Sequence, residues 1–471
     1  MNVIIKPFET PGGNYVYDRE TNAILRVNRD EFESFVRISE KQSTEDDLKV
    51  LKRFQDKGYC KESKLKTIKH PEDDVLEFYL DNQIEKITLQ VTQDCNLRCS
   101  YCTYTDNSNY VSRIHSNKFM SYEVMCKSID FLMQRSNQIK EVNIGFYGGE
   151  PLLAFDNIKK IISYIETKYP DKATTYTMTT NGTILDEDIV NYLHQKKIKI
   201  MISLDGPKEM HDLNRKFENG SGSFYTIMEN LERVKKSNPE FYSKISFITV
   251  VAPGTDFKCV DEFFNAEDIF QHNSLMYNVV SEQYNKIDFQ YDELFSINNS
   301  LQQVKVLLHE LGYISSENIS NLYRSYMANL FRTYATLDKS VSLSETAHPG
   351  GPCLPGVMRT MVDVNGVIYP CERVSEESDS MKIGHIDTGF DLNKARALLN
   401  IGNLTTSECT DCWCFTHCSL CAAAADDIQE GLNGNLKLKG CNGVKSSVLS
   451  TLKTICLLRE HKYEFRADIY G

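Results

Sequence analysis

Val91-Thr-Gln-Asp-Cys95-Asn-Leu-Arg-Cys99-Ser-Tyr-Cys102 places three cysteines at a C-x3-C-x2-C spacing, directly after a run typical of a β-strand at 87–92. Three thiolates on one short loop suit a four-iron cluster, because such clusters are held by soft cysteine ligands. Three protein ligands leave one of the four irons open, which indicates a catalytic cluster rather than a plain electron carrier. A zinc loop is the alternative, but structural zinc sites usually have paired C-x2-C units and four ligands.

The composition is that of an acidic chain of 471 residues with a net charge of −12. This length predicts two to four domains. Nucleic acids and anionic membranes bind basic surfaces, so the charge argues against both as partners. The segment from Met1 to Glu9 lacks the basic and then apolar parts of a secretion signal, and no apolar run is long enough to span a bilayer. We therefore expect a cytoplasmic protein.

The chain has 15 cysteines, which is many for a cytoplasmic protein. In a reducing compartment clustered cysteines are more often metal ligands than disulfide partners. Outside the 95–102 loop, one group contains Cys353 and Cys371, and another contains Cys409, Cys412, Cys414, Cys418, Cys421 and Cys441. Four cysteines stand alone and are expected in the core: Cys60, Cys126, Cys259 and Cys456.

Residues 84–285 alternate between segments typical of strands and of helices. Six strands are predicted, at 87–92, 142–146, 175–179, 200–204, 245–251 and 275–280. The clearest helices between them are predicted at 121–135, 155–168, 186–195 and 224–237. This alternation predicts the α/β fold class with a parallel sheet, and six units suit a partial (β/α)6 TIM-type barrel. Active sites of such barrels lie at the C-terminal ends of the strands.

Polar residues and glycines follow these strands at the predicted C-terminal ends. Gly148-Gly149-Glu150 comes after the second strand. The two glycines let the backbone approach a ligand, and a carboxylate can pair with an ammonium group. Asn181 follows the third strand, and Ser203 ends the fourth, with Arg215 a short distance beyond.

The cysteine loop, including the aromatic Tyr101 before its last cysteine, resembles the signature of the radical S-adenosylmethionine (SAM) enzymes. The resemblance implies that Cys95, Cys99 and Cys102 hold a [4Fe–4S] cluster that binds SAM. In that family the glycines and glutamate hold the amino group, and a serine and an arginine bind the carboxylate. The cofactor-binding residues implied here are Tyr101, Gly148, Gly149, Glu150, Asn181, Ser203 and Arg215. For Asn181, turn chemistry is an equally good explanation.

Residues 346–445 resemble the SPASM domain, which holds two auxiliary [4Fe–4S] clusters in radical enzymes that act on peptides. Cys353 and Cys371 fit the pattern C-x(9–15)-G-x4-C of that domain. The analogy assigns the proximal cluster to Cys353, Cys371 and Cys421, and the distal cluster to Cys409, Cys412, Cys418 and Cys441. A zinc-ribbon module is the alternative for this region.

Two departures from the SPASM pattern lie within Cys412–Cys421. The last pair is C-x2-C where the family usually has C-x3-C, and Cys414 is an additional cysteine. Sulfatase-maturing relatives also carry a cysteine at the position of Arg359. Either Cys414 or His348 completes the proximal cluster, or its fourth iron is open to a substrate thiolate.

The first 75 residues predict a small winged-helix-like unit. Strands are expected at 3–6, 14–18 and 23–27, followed by a helix at 30–39 and a second helix capped by Ser43. The stretch 61–74 is expected to be a linker. This order resembles the precursor-recognition element of enzymes that modify ribosomal peptides, which binds a leader peptide as an added strand. An N-terminal cap without a binding role is the alternative. A helical connector is expected at 286–345, and a C-terminal helix or tail at 446–471.

The resemblances together imply a peptide maturase, in which a 5′-deoxyadenosyl radical removes hydrogen from a substrate carbon. We expect a sactipeptide- or ranthipeptide-type synthase that forms sulfur-to-carbon thioether crosslinks in a cysteine-containing precursor peptide bound through its leader. Glu372 matches a carboxylate base of sulfatase-maturing relatives. Flavodoxin or ferredoxin is the expected electron donor. The alternatives are another radical peptide modification, sulfatase maturation, a multi-cluster electron carrier and a zinc scaffold.

Overall fold

The computed structural model describes residues 2–104, 112–113, 115–271, 273–281, 283–285, 290–291, 293–337, 342–350 and 353–465. The chain begins with a three-stranded antiparallel sheet and a helix pair. These elements are β1 (Ile5–Thr10), β2 (Gly13–Asp18), β3 (Ala23–Val27), α1 (Arg29–Ser39) and α2 (Glu45–Asp56). The strand order is β1-β2-β3, and one face of the sheet packs on the helix pair.

The cap of α2 corrects the sequence prediction by one residue. Thr44, not Ser43, is the N-cap, because its side chain accepts a hydrogen bond from the Asp47 backbone N–H. The Asp47 carboxylate in turn accepts from the Thr44 backbone N–H, which completes a capping box. Asp47 also forms an ion pair with Arg37 of α1 at 2.6 Å, so the same carboxylate joins the two helices.

The predicted linker at 61–74 is partly ordered into a sheet. It contains β4 (Thr67–Ile68), which pairs in parallel with a strand at Thr346–Ala347, and α3 (Leu76–Asn82) follows. The linker prediction was therefore wrong for these residues. A charged composition does not reveal a partner strand that lies almost 280 residues away in the chain.

A parallel sheet follows, and all six predicted strands are confirmed. They are β5 (Lys86–Thr92), β6 (Glu141–Gly148), β7 (Ala173–Thr180), β8 (Lys199–Ser203), β9 (Ser246–Val251) and β10 (Ser274–Val279). The strands are neighbours in chain order. The helices between them are α4 (Tyr122–Gln134), α5 (Phe155–Lys168), α6 (Glu187–Gln195), α7 (Lys208–Asn214), α8 (Phe224–Ser237), α9 (Pro239–Tyr242) and α10 (Phe257–Ala266).

Burial alternates along several of these strands, such as β6, and explains where the core lies. Val142, Ile144 and Phe146 of β6 are fully or almost fully buried and belong to the large core that includes α5. Asn143 and Tyr147 point to the opposite face and are only half-buried. Because alternate residues of a strand face opposite sides, the apolar side chains hold the helices while polar side chains line the other face.

The rest of the chain extends this sheet and adds short elements. Two helices come first, α11 (Glu293–Glu310) and α12 (Tyr326–Tyr334). Seven short strands follow: β11 (Thr346–Ala347), β12 (Thr360–Val362), β13 (Val367–Tyr369), β14 (Gly384–His385), β15 (Gly389–Phe390), β16 (Asp426–Asp427) and β17 (Gly431–Leu432). The last helices are α13 (Leu392–Leu399), α14 (Thr406–Thr410), α15 (Gly434–Lys439) and α16 (Cys441–Glu460). Strand β12 pairs in parallel with β5, and β13, β14 and β15 continue the sheet.

The second face of the N-terminal sheet packs against the end of the chain. Phe8 and Tyr17 share an apolar cluster with Leu452 and Ile455 of α16. The Tyr15 hydroxyl donates a hydrogen bond to Glu460 at 2.7 Å. The N-terminal sheet therefore lies between its helix pair, α1 and α2, on one face and the C-terminal helix α16 on the other.

Arg19 ties the N-terminal unit to the last cysteine-rich segment. Its guanidinium is 1% exposed, pairs with Glu20 at 2.6 Å and donates to the Thr410 carbonyl, one residue after Cys409. The Tyr17 ring lies edge-on to Trp413, with 6.2 Å between the ring centres. Within the described part of the chain, none of the helices is both long and apolar enough to cross a membrane.

Candidate active site

Cys95, Cys99 and Cys102 line one cleft at the C-terminal ends of the parallel strands. The cleft has a volume of about 390 Å³, which is within the range of small-molecule sites. Six of the seven predicted cofactor-binding residues line it together with the cysteines: Tyr101, Gly148, Gly149, Asn181, Ser203 and Arg215. Residues predicted from four different strand ends are thus brought to one place.

The three thiols are close enough to influence one another. Burial raises the pKa of the Cys95 thiol to about 12, and the neighbouring Cys102 acts in the same direction. Burial also raises the pKa of Cys99 well above its usual range, and both Cys95 and Cys102 add to the shift. A metal centre must therefore displace protons to bind here, as expected of cysteine ligands.

In the described residues no group of three or more cysteine, histidine or acidic side chains is close enough to hold a single metal ion. This finding does not bear on a four-iron cluster, because its thiolates bind different irons and lie further apart than ligands of one zinc. The three thiols at the mouth of one cleft fit such a cluster. Cys95, Cys99 and Cys102 would hold it.

Gly148 and Gly149 are required by the close approach of two backbones. A Cβ atom on Gly148 would lie 2.1 Å from the Thr92 carbonyl oxygen, and one on Gly149 would lie 2.2 Å from the Asp94 carbonyl oxygen. The Gly149 N–H donates to Thr92 at 3.1 Å. The glycines therefore let the end of β6 press against the loop that carries Cys95. The two glycines were predicted to approach a ligand, whereas in the structure they approach the cysteine loop.

The Glu150 carboxylate is turned away from the cleft and joins the ends of β6 and β7. It is fully buried and accepts hydrogen bonds from the Asn181 N–H at 2.6 Å, the Leu152 N–H at 3.0 Å and the Thr180 hydroxyl at 2.8 Å. Burial raises the pKa of this carboxyl to about 7, although the hydrogen bonds act in the opposite direction. Glu150 supports the wall of the cleft rather than lining it.

We predict a pH effect from Glu150. Because the folded chain holds this proton up to about pH 7, while an unfolded glutamate loses it near pH 4.3, the stability from Glu150 falls as pH rises between these values. From pH 5.5 to 7.5 the loss should be about 2 kcal/mol, or about 5 °C in thermal midpoint. Glu150→Gln cannot ionise, so the wild-type midpoint should fall relative to the variant by this amount. Parallel midpoint curves for the two proteins would contradict the assignment.

Asn181 combines the two roles that the sequence left open. Its side-chain oxygen accepts from the Thr183 N–H at 3.0 Å, which is turn chemistry. Its side-chain nitrogen donates to Asn96 at 2.8 Å and lies 3.9 Å from the Cys95 sulfur. Asn181 thus fixes its own turn and orients the cysteine loop from within the cleft.

Arg215 is the cation of the cleft, and Asp205 is its partner. The Arg215 Nε atom donates to Asp205 Oδ2 at 2.8 Å, and both side chains are buried. The Tyr101 hydroxyl donates to the same carboxylate, and the Tyr101 ring centre lies 5.4 Å from the guanidinium carbon. Asp205 was not among the site residues predicted from the sequence. Its position two residues after Ser203, and ahead of an arginine at 215, is the signal that it is a charge partner.

A second buried cation, Arg113, joins the cleft to the segment after Cys371 and was missed from the sequence. Its guanidinium pairs with Glu376, donates to the Glu372 carbonyl and lies over the rings of Tyr104 and Tyr147 at 5.4 and 5.3 Å. Burial raises the pKa of Glu376, and the Arg113 charge opposes that shift. No motif marks this pair, because its members are 263 residues apart.

The predicted proximal ligands are brought together in part. The Cys371 and Cys421 thiols are neighbours, and burial followed by nearby charges raises the pKa of Cys371 to about 11. Cys353 is exposed. Glu372 forms an ion pair with Arg359 at 2.8 Å, and both side chains are partly exposed. Glu372, the predicted base, is therefore a direct partner of Arg359, the residue that replaces the cysteine of sulfatase-maturing relatives.

The distal ligands lie close together, and Cys414 lies with them. The Cys412 thiol is near Cys409 and Cys441, and the Cys418 thiol is near Cys409 and Cys412. Cys414 is near Cys412, Cys418 and Cys441, which all act on its thiol. Among the four isolated cysteines, Cys259 is exposed at the start of α10, so its core prediction was wrong. Cys126 is half-buried, and Cys60 and Cys456 are buried as predicted.

His348 is held by backbone groups at both ring nitrogens. Nε2 accepts from the Gly402 N–H at 2.9 Å, and Nδ1 lies 2.9 Å from the Pro349 carbonyl oxygen. Burial lowers the pKa of this imidazole to about 4, so it is neutral at physiological pH. With both nitrogens engaged, His348 has a structural role in this arrangement.

Comparison with protein families matches the radical SAM superfamily to residues 89–266. An uncharacterized protein of Methanocaldococcus jannaschii is 30% identical over 229 residues, which are 49% of this chain and 72% of that protein. A cysteine-type anaerobic sulfatase-maturating enzyme of Clostridium perfringens is 28% identical over 360 residues, which are 72% of this chain and 90% of the enzyme. Among solved structures, native anSMEcpe with bound AdoMet and Cp18Cys peptide matches with a TM-score of 0.59 at 22% identity, covering 80% of this chain and 99% of that chain. The last match shows a shared fold.

Proposed function

Because this chain belongs to the radical SAM superfamily, we propose that it modifies a peptide in the cleft at Cys95, Cys99 and Cys102. When bound, the [4Fe–4S] cluster and SAM supply radical chemistry, the removal of a hydrogen atom from an unactivated carbon. The six parallel strands lie side by side in chain order, as a partial (β/α)6 barrel requires. The observation that carries the proposal is the convergence of three thiols, two glycines, Ser203 and Arg215 on one cleft.

The residues of the cleft have separate tasks in this proposal. Arg215 binds the carboxylate of an amino-acid ligand, because a buried guanidinium offers several N–H donors. Asp205 and Tyr101 hold that guanidinium in place. Glu150 joins the ends of β6 and β7, and Asn181 joins the end of β7 to the cysteine loop. The buried surroundings exclude water from the reacting groups.

A peptide substrate is supported by the relatives and by the N-terminal sheet. The similar solved structure is described with a bound peptide, and its fold is shared. In the described residues, no further strand pairs with the outer edge of β3. We propose that a leader peptide adds to this edge, since such binding takes its affinity from main-chain hydrogen bonds. Flavodoxin or ferredoxin remains the proposed donor of electrons.

The proposed modification is a thioether crosslink. Cys353, Cys371 and Cys421 provide three ligands to the proximal cluster, while Cys414 lies with the distal group and His348 is engaged elsewhere. This supports an open iron beside Cys371 that binds a cysteine thiolate of the substrate. Glu372 is the proposed base for that thiol, acting from its ion pair with Arg359. The distal cluster would complete the set of three [4Fe–4S] clusters.

Sulfatase maturation is the second candidate, because a curated relative carries that name. The two candidates differ at residue 359. Sulfatase-maturing enzymes resemble this chain but carry a cysteine there, which would occupy the iron that we propose to be open. Arg359 favours the thioether reaction.

Mass spectrometry of a reacted peptide tests the proposal. The reconstituted enzyme is incubated anaerobically with SAM, a reductant and a cysteine-containing peptide encoded beside its gene. Each thioether replaces one C–H and one S–H bond, so we expect a loss of two hydrogens and of one alkylatable thiol per crosslink. The same mass loss with all thiols free would indicate a carbon–carbon crosslink or another oxidation. Conversion of a sulfatase cysteine to an aldehyde, with the precursor peptide unchanged, would favour the second candidate.

Arg359→Cys tests the open iron directly, with Arg359→Ser as the matched control. Both variants remove the ion pair to Glu372, but only the cysteine can fill the fourth iron position. We expect SAM cleavage in both variants, and thioether yield at least about tenfold lower in the cysteine variant, because a bound thiolate blocks the substrate thiol. Equal yields in the two variants would contradict an open proximal site.

A further inference from the structure

Lys437 is a buried cation beside the distal cysteine group, and no role has been assigned to it. Its side chain is 2% exposed, which is rare for a lysine. The ammonium donates to the Thr405 hydroxyl at 2.8 Å and lies 3.8 Å from the Cys409 sulfur. Neither partner is a carboxylate. Among the described residues Lys437 forms no salt bridge.

The Thr405 hydroxyl extends this contact to the same sulfur. It lies 3.2 Å from Cys409 Sγ, and it already accepts a hydrogen bond from Lys437. Its own proton is therefore free to point at Cys409. The ammonium and the hydroxyl together direct two donors to one thiol.

A nearby anion stabilises a buried ammonium group. Removing an unpaired charge from water costs several kcal/mol. The charge of Lys437 acts on the acidic Glu408, but the Glu408 side chain is exposed and screened by solvent. The remaining candidates are sulfur atoms, since Cys409 is in contact and Cys418 lies within electrostatic reach. Lys437 is placed to face deprotonated cysteines.

We propose that Lys437, with Thr405, raises the reduction potential of the distal cluster by donating hydrogen bonds and positive charge toward the Cys409 ligand. The inference rests on the distal cluster of the proposed function. Reduction adds negative charge to a cluster, so a buried cation stabilises the reduced form. Hydrogen bonds to the sulfurs and net charge are among the factors that set such potentials.

Other cations near this group should contribute less. Lys445 acts on Cys412 and Cys414 but is only half-buried, and Lys439 is exposed on the same helix as Lys437. Water screens exposed charges far more than buried ones. Lys439 therefore provides a matched control, because it has the same charge and nearly the same position in the chain.

The test is a redox titration of the reconstituted full chain, followed by electron paramagnetic resonance. Cys441→Ala identifies the distal signals, since it should remove about four irons per chain. For Lys437→Met we expect a distal midpoint more negative by at least a tenfold change in the one-electron equilibrium, 59 mV. Lys439→Met should leave the midpoint within a twofold change. The signal of the SAM-binding cluster should be unaffected in both variants.

The outcomes separate the inference from the function on which it rests. An unchanged iron content in Cys441→Ala would overturn the distal cluster itself. A full iron content with equal distal midpoints in the two lysine variants would overturn the role of Lys437. If Lys437→Met loses distal iron, Thr405→Val decides instead, because it keeps the charge and removes the hydroxyl. A negative midpoint shift in that variant supports the inference, and an unchanged midpoint overturns it.

Discussion

Replacing Cys99 with alanine is expected to abolish the cleavage of SAM by this chain. Cys99 is the most buried of the three loop cysteines and lies next to Cys95, Cys102 and Arg215. In the proposed site, alanine would leave two ligands for a cluster that needs three from the protein. The loss should exceed the roughly 10–100-fold effect of changing a residue that merely supports a metal ligand. Production of 5′-deoxyadenosine and the iron content measure the two consequences, and about four irons per chain should be lost.

Cys259→Ser is the matched control for this prediction. Cys259 is exposed, lies on α10 and contacts Asp256, so it has no place in the cleft. Its replacement should leave both iron content and cleavage unchanged. Cleavage that survives in Cys99→Ala at more than a few per cent of wild type would show that the loop does not hold the reacting cluster.

Replacing Asp205 with asparagine is expected to lower stability strongly. The carboxylate accepts from the Arg215 guanidinium, the Tyr101 hydroxyl and the Val250 N–H, the last at 2.9 Å. Without it the Arg215 charge is buried and uncompensated, which costs roughly 3–5 kcal/mol. For a domain of this size the thermal midpoint should fall by about 10 °C. The affinity for SAM should also fall, since Arg215 loses its fixed orientation.

A double variant distinguishes the lost ion pair from general damage. Asp205→Asn combined with Arg215→Met removes both charges, so no buried cation is left without a partner. We expect this double variant to be more stable than Asp205→Asn alone, although it should not bind SAM. Thermal midpoints of the wild type and of the single and double variants form a cycle that gives the interaction energy. Additive losses would show that the two side chains do not stabilise each other.

The parallel strands and the cleft could be predicted because their signals are local. Each strand is a short run of residues typical of β-structure, and several site residues lie at a strand end, as Gly148 and Ser203 do. The C-terminal ends of parallel strands share one edge, so short motifs far apart in the chain converge. For Glu150 the motif predicts the strand end at which the residue lies. It does not predict the hydrogen-bond partners of the carboxylate.

The features that the sequence did not reveal depend on partners distant in the chain. Arg113 and Glu376 have no motif, and each needs the other to be buried. The strand at 67–68 exists because residues 346–347 lie beside it. His348 was a candidate ligand until the backbone of Gly402 and Pro349 was found at its two nitrogens. Such contacts are decided by the tertiary structure, not by local residue preference.

The contacts that hold the N-terminal sheet in place have a consequence for which residue of a substrate is modified. Tyr15 and Arg19 tie this sheet to α16 and to the segment after Cys409, and these contacts oppose movement of its β3 edge. A leader bound to β3 would then set the distance along the substrate between the leader and the reacting carbon. An extended chain advances about 3.3 Å per residue. Adding one residue between the leader and the modified segment would bring the neighbouring side chain into the cleft. The modified position would then depend on its distance from the leader and not on the residues around it.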